Sequence, residues 1–143
     1  MSFDGVTVAG AEDLSGYPTV TAKNAAPATK LEVKDLVVGK GAATTASSTV
    51  TVQYVGVLYS DGTVFDSSWT RGIPSSFPLS GVLPGFTQGI GGTTGVAPMK
   101  VGGRRVIIVP PALGYQDQQS GIIPPNSTLV FVVDLLKLTA ATG

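Results

Sequence analysis

Asp66 follows Phe65 behind the turn SDG at 60–62, with Arg71 a short way further along the chain. A carboxylate so placed can act as a catalytic acid, form an Asx turn with its own backbone, or pair with the Arg71 guanidinium. The two structural roles are the commoner fate of a lone aspartate. Tyr54 falls on the inward side of an alternating run, where a buried phenol needs a partner for its hydroxyl. Tyr115 lies in a loop rich in Pro and Gly and, on local grounds, reads as surface. Phe86 and Trp69 read as core or rim aromatics. Ile122 and Ile123 are crowded into SGIIPPNSTLVF, between a glycine and a double proline. Such a pair either plugs the end of a core or lines a pocket for something apolar. No nucleophile and base stand together anywhere in this set. Aromatics, aliphatics and one carboxylate suit an apolar binding site with a few orienting polar groups.

The exclusions are firm. The 143 residues contain no cysteine and no histidine. That removes a Cys nucleophile, a Ser-His-Asp triad and a Cys/His zinc site. Glu12 and Glu32 are the only glutamates, so a paired-carboxylate glycosidase would depend on scattered aspartates. Nine basic residues balance nine acidic ones, with only 13% of the chain charged. Nucleic-acid binding needs clustered Lys and Arg, and the single basic cluster, Lys100 to Arg105, is short and interrupted by glycines. KVGGRR lacks the residues of a phosphate-binding GxxxxGK[ST] loop. No apolar run reaches the length of a membrane span, and MSFDGVTVAG lacks the pattern of a signal peptide. The compartment stays open between the cytoplasm and export with the signal already removed.

These residues need elements to hold them. The length suits one domain, burying about 70% of its unfolded surface. Residues 1–30 are rich in Ala, Thr, Gly and Pro without a strong period. They read as a linker, a pro-segment or an added edge strand, YPTVTA, laid on the body. LEVKDLVV is strand-like, and TVTVQYVGVLY alternates, with Val50, Val52, Tyr54 and Leu58 on one face. TVFDSS is a further short strand, and FPLSG is a candidate for another. Pro84 suits the first turn of a short helix over VLPGFTQGIGG, whose glycines limit its length. RRVIIVPP is a buried strand stopped by prolines. TLVFVVDLLKL is the longest strand, with Leu129, Phe131, Val133 and Leu135 on one face. The expectation is a β-rich antiparallel domain with one short helix.

In this order, the blocks VTVQYVGVLYSDGTVFDSSWTRG, FPL, VLPGF, MKVGGRRVIIVPPALGY and GIIPPNSTLVFVVDLLKL resemble the FKBP family of peptidyl-prolyl cis–trans isomerases, the macrolide-binding immunophilins. The match covers about residues 31–138. FDSS, KVGGRR and GIIPPNSTLVF together are specific, and any one alone is weak. The resemblance implies an α+β fold, an FKBP-like curved antiparallel sheet (a half barrel) wrapped around one short helix. Residues 31–143 would form the isomerase domain, and residues 1–30 an N-terminal extension.

By the same resemblance, Tyr54, Phe65, Asp66, Tyr115 and Phe131 are the catalytic positions. Arg71, Val82, Leu83, Phe86, Ile122 and Ile123 bind substrate, with Arg71 pairing with Asp66 and the Tyr115 hydroxyl and Ile123 N–H donating to substrate carbonyls. Implied partners are proline-containing peptides or proteins and macrolide inhibitors, with no nucleic acid, no membrane span, no cofactor and no metal. A monomer is expected. The alternative reading of the same pocket is a chaperone or interaction module that holds a proline segment with little turnover. A third reading places Tyr17-Pro18 or Ala26-Pro27 of the extension in the pocket. The sequence departs from the family in several places, among them the loop QDQQSG, which is about one residue shorter and lacks histidine. Ser75 falls where many members carry a rim phenylalanine, Gln116 replaces the glycine after the tyrosine, and GIGGTTGVAP carries extra residues.

Overall fold

The structure, a computed structural model, describes residues 2–3, 6–10, 18–22, 30–45, 48–93, 95–116, 118–119 and 121–139. Alternating apolar residues build the body. Strands β5 (Thr49–Leu58) and β9 (Leu129–Thr139) pair antiparallel along their whole length and form its centre. β8 (Arg104–Val109) pairs the far side of β9, and β4 (Glu32–Val37) completes that edge. On the other side β5 pairs β6 (Val64–Ser67) at one end and β7 (Ser75–Pro78) at the other. The sheet order is therefore β4-β8-β9-β5-β6, with β7 beside β5. Register shifts at Asp35/Val37, Thr51/Val52 and Gly56/Val57 bend the strands, as an extra residue on one side of a ladder does. The sheet curls around the helix α2 (Pro84–Gly91), with Pro84 in its first turn.

The inner face carries Val50, Val52, Tyr54, Ile107, Val109, Leu129, Phe131, Val133 and Leu135, packed with Phe86 and Ile90 of α2. Gly85 and Gly89 let the helix lie close. A Cβ on Gly85 would meet Val109 Cγ1 at 2.5 Å, and one on Gly89 would meet Ile107 Cγ2 at 2.7 Å. Two elements differ from expectation. FPLSG splits into the end of β7 and a 3-10 turn, Leu79–Gly81, because the Leu79 N–H bonds Ser48 O and turns the chain inward. A second, single-turn helix α1 (Ser68–Arg71) follows β6.

The outer face is also apolar. Val55, Val57, Tyr59, Val106, Ile108, Val130 and Val132 form a second core with Val6, Val8, Val20 and Ala22. The latter come from β2 (Val6–Ala9) and β3 (Thr19–Ala22), which with β1 (Ser2–Phe3) make a separate antiparallel sheet. Within the stretch read as a linker, a pro-segment or an added edge strand, β2 and β3 therefore cover a face, where aliphatic side chains gain more from burial than at an edge. At the margin of this core Arg104 makes a two-pronged pair with Asp134, at 2.5 and 2.7 Å, and its Nη1 donates to Gly10 O at 2.7 Å. Burial pushes the Asp134 carboxyl up from its ordinary range, and the Arg104 bonds pull against that shift.

Candidate functional site

Where the sheet, α2 and the 110–127 loop meet, a cavity of about 860 Å³ opens. β5 brings Tyr54 to it, β6 brings Phe65 and Asp66, and β9 brings Phe131. Val82, Leu83 and Phe86 come from the entry and first turns of α2, and Tyr115, Ile122 and Ile123 from the loop. These expected site residues thus line one space. Arg71 closes α1, and its side chain lies outside the described residues, so its pairing with Asp66 is not on view.

The floor is a set of interlocked rings. Phe86 and Phe131 lie 4.3 Å apart by centroid, Tyr54 meets Phe86 edge-on at 5.8 Å, and Phe65 meets Phe131 edge-on at 5.5 Å. Edge-on pairs set the positive rim of one ring against the negative face of the other. Gly56 makes room for this. It stands opposite both Asp66 and Phe131 in the ladders, and a Cβ there would meet Phe65 Cζ at 2.6 Å and Phe131 Cε1 at 2.9 Å.

Among the described residues, Asp66 is the one carboxylate in the lining. The Tyr54 hydroxyl donates to Oδ2, and the Ser67 N–H donates to Oδ1 at 2.9 Å. Ser68, fully buried, holds the other end of Tyr54: its Oγ accepts the Tyr54 N–H at 2.7 Å and donates to Gln53 Oε1 at 2.5 Å. This bond bridges the stretch of β5 between the β7 and β6 ladders, where neither strand pairs. The carboxylate and phenol are thereby fixed as a pair before any ligand arrives.

Ile123 and Phe131 are each only 4% exposed, whereas Ile122 is 59% exposed. Ile123 belongs to the cavity wall and Ile122 to its rim. The loop turns at Gly121, with φ 55°, and again at 125–126. Gln116 holds φ 56°, a left-handed value that explains why glycine suits that position.

Phe77 was not among the residues expected at the site. It lines the cavity and stacks on Phe86 at 5.8 Å with ring planes 9° apart. Ser75 lies on the same side of β7 two positions earlier, as strand alternation dictates. The rim aromatic is thus present, displaced along the strand, and the FPL block carried the signal. Gly81, Pro84 and Gly121 also contribute walls. No described residue of the 89–98 segment lines the cavity: Gly89–Gly91 continue α2, and Thr93 and Val96 close a small bridge beyond it. Pro18 is not in the pocket either. It lies on the outer face with Thr19, Val20, Val55 and Val64 around a cavity of about 270 Å³. Tyr17, Ala26 and Pro27 lie outside the described residues.

Residues 40–136 match the family of the FKBP-type peptidyl-prolyl cis-trans isomerase. A probable FK506-binding protein of Corynebacterium glutamicum is 44% identical over 107 residues, covering 75% of this chain and 86% of that protein. The FKBP-type peptidyl-prolyl cis-trans isomerase FkpA of Escherichia coli K12 is 48% identical over 103 residues, 72% of this chain and 36% of that longer one. Among solved structures, AtFKBP13 superposes with a TM-score of 0.73 at 35% identity, over 83% of this chain and 98% of that one. FkpA from Escherichia coli gives 0.70 at 41% identity, over 85% and 53%. By sequence and by fold, the chain belongs to the FKBP-type peptidyl-prolyl cis-trans isomerases.

Proposed function

We propose that the aromatic cavity receives the prolyl ring of a peptide or protein and accelerates rotation about the preceding X–Pro bond, assisting folding steps that wait on it. The observation that carries this reading is a floor of packed rings beside the Asp66 carboxylate, which is already hydrogen-bonded. Peptide rotation faces a barrier of about 18–20 kcal/mol, because resonance gives the C–N bond partial double character. X–Pro bonds accordingly isomerise over tens to hundreds of seconds. Resonance places charge on the carbonyl oxygen, and water favours that planar, polar form. A dry pocket withdraws the water and favours the twisted, less polar state. Rotation breaks no covalent bond, so neither nucleophile nor proton shuttle is required.

Tyr54, Phe65, Phe86, Ile123 and Phe131 form the dry seat for the ring, and Phe77 extends it. The Tyr115 hydroxyl and the Ile123 N–H donate to substrate carbonyls, while Asp66, oriented by Tyr54, meets the amide. Selectivity for the twisted state is what raises the rate, and about 4 kcal/mol of it gives roughly a thousandfold. A macrolide would occupy the same seat and compete with peptide.

The test is the double variant Phe65→Ala, Asp66→Ala, checked for retained fold, in an exchange measurement on a Pro peptide. We expect isomerisation to drop at least tenfold. Unchanged exchange in the folded variant would remove this cavity from consideration. Peptide shift changes without isomer exchange in the unaltered protein would identify a binding module instead.

A further inference from the structure

The helix that carries the floor ring Phe86 is a poor helix on its own. It has eight residues, PGFTQGIG, with no side-chain cap at its start and no basic residue in its last turn. Each interior glycine costs about 1 kcal/mol relative to alanine, and so short a helix does not persist alone in water. Its position must be imposed from outside.

The restraint comes from β8. Arg105, Ile107 and Val109 alternate along one face of that strand, and the helix glycines sit on the last two. Arg105, 2% exposed, continues this row past the end of the helix. Its Nη1 donates to Gly89 O at 2.9 Å and to Ala97 O at 2.6 Å. Nε and Nη2 donate to the two carboxylate oxygens of Asp35 on β4, at 2.7 and 3.1 Å. One guanidinium therefore ties the helix, the segment after it and the edge strand together. Gly89 O is one of the carbonyls that a helix leaves without an internal partner at its C-terminal end, and a cation there also faces the negative end of the helix dipole. Thr44 Oγ and the Met99 N–H secure the next carbonyl, Ile90 O, at 2.5 and 2.9 Å.

We propose that Arg105, braced by Asp35, is a positioning residue for isomerisation: it fixes how far α2 lies along β8, and so where Phe86 meets the prolyl ring. The inference rests on the aromatic cavity being the isomerase site. Arg105 touches no substrate and is absent from the cavity lining. Its planar fork makes all four bonds at once, which a lysine ammonium cannot reproduce from one position.

The experiment compares Arg105→Lys, Asp35→Asn and Arg104→Lys in the full chain. Arg104→Lys serves as a control, because Arg104 is equally buried but faces the outer core. For each variant kcat and KM on a Pro peptide, the melting temperature, and the Phe86 ring signals by aromatic NMR are measured. Arg105→Lys is expected to shift the Phe86 signals and lower kcat about tenfold, with KM changed less than about twofold, because transition-state fit alone is lost. Asp35→Asn should move both readouts in the same direction by less, and it keeps the test decisive if the lysine variant does not fold. Arg104→Lys should lower the melting temperature and leave kcat and Phe86 unmoved. Unshifted Phe86 signals with unchanged kcat in the folded Arg105 and Asp35 variants would overturn the proposal. So would equal kcat losses in the Arg104 and Arg105 variants at equal loss of melting temperature. If the unaltered protein shows no isomerisation, the functional reading fails, while the Phe86 signals still report whether the guanidinium positions the helix.

Discussion

Gly56 shows how much of the site depends on an atom that is absent. Phe65 and Phe131 meet edge-on directly over its α-carbon, in space that any side chain would take. Gly56→Ala should force the rings apart, destabilise the fold by about 1–3 kcal/mol as overpacking does, and weaken peptide binding. Urea denaturation and a peptide titration measure the two effects. Normal stability together with normal affinity would refute this view of the floor. The sequence made the aromatic residues and the carboxylate legible, since type and order within FDSS and GIIPPNSTLVF single them out. It hid Gly56 and Phe77, because their importance lies in register. Which ring stands over which α-carbon, and whether position 75 or 77 of β7 reaches the cavity, depends on pairing across strands and not on neighbours in the chain.

Among the elements, the central strands were readable from alternation and β-branched residues, and α2 from its proline. The 3-10 turn at Leu79–Gly81 was not, because it is set by a hydrogen bond to Ser48 far back in the chain. Two of the left-handed residues in the loop that carries Tyr115 and the isoleucines have opposite consequences. Gln116, at φ 56°, keeps a side chain where the backbone disfavours one, and Gly121, at φ 55°, has open space around its α-carbon. The left-handed conformation costs an L side chain roughly 1–2 kcal/mol, partly offset by the lower unfolded-state entropy of a non-glycine residue. Gln116→Gly should therefore stabilise the protein by up to about 1 kcal/mol. Gly121→Ala should destabilise it by about 1 kcal/mol, with no steric contribution. Equilibrium denaturation of the pair checks the signs, and identical shifts for both would contradict the backbone account.

At the scale of the whole molecule, the curved sheet separates two cores. Residues 1–30 gave little warning of the second, since VTVA and TVTA are too short to establish a period. A better clue lay in the body: Val106, Ile108, Val130 and Val132 face away from α2, so something had to cover them. Removing residues 1–22 deletes Val6, Val8 and Val20, each worth about 1.5–3 kcal/mol when fully buried, and bares their partners. We expect a loss on the order of 5 kcal/mol, read as a fall in melting temperature, with no gain in peptide affinity. An unchanged melt, or tighter peptide binding after truncation, would count against this placement.

The two sides of the sheet also carry different obligations. An open cavity forgoes contacts that a filled interior would make, and the aliphatic core on the covered side compensates for them. Substitutions that reshape the seat for new substrates draw on a reserve held behind the sheet. Adaptation to temperature can proceed on the covered side, among valines that no ligand meets. Selectivity and robustness are thus separable traits in this protein, open to change one at a time.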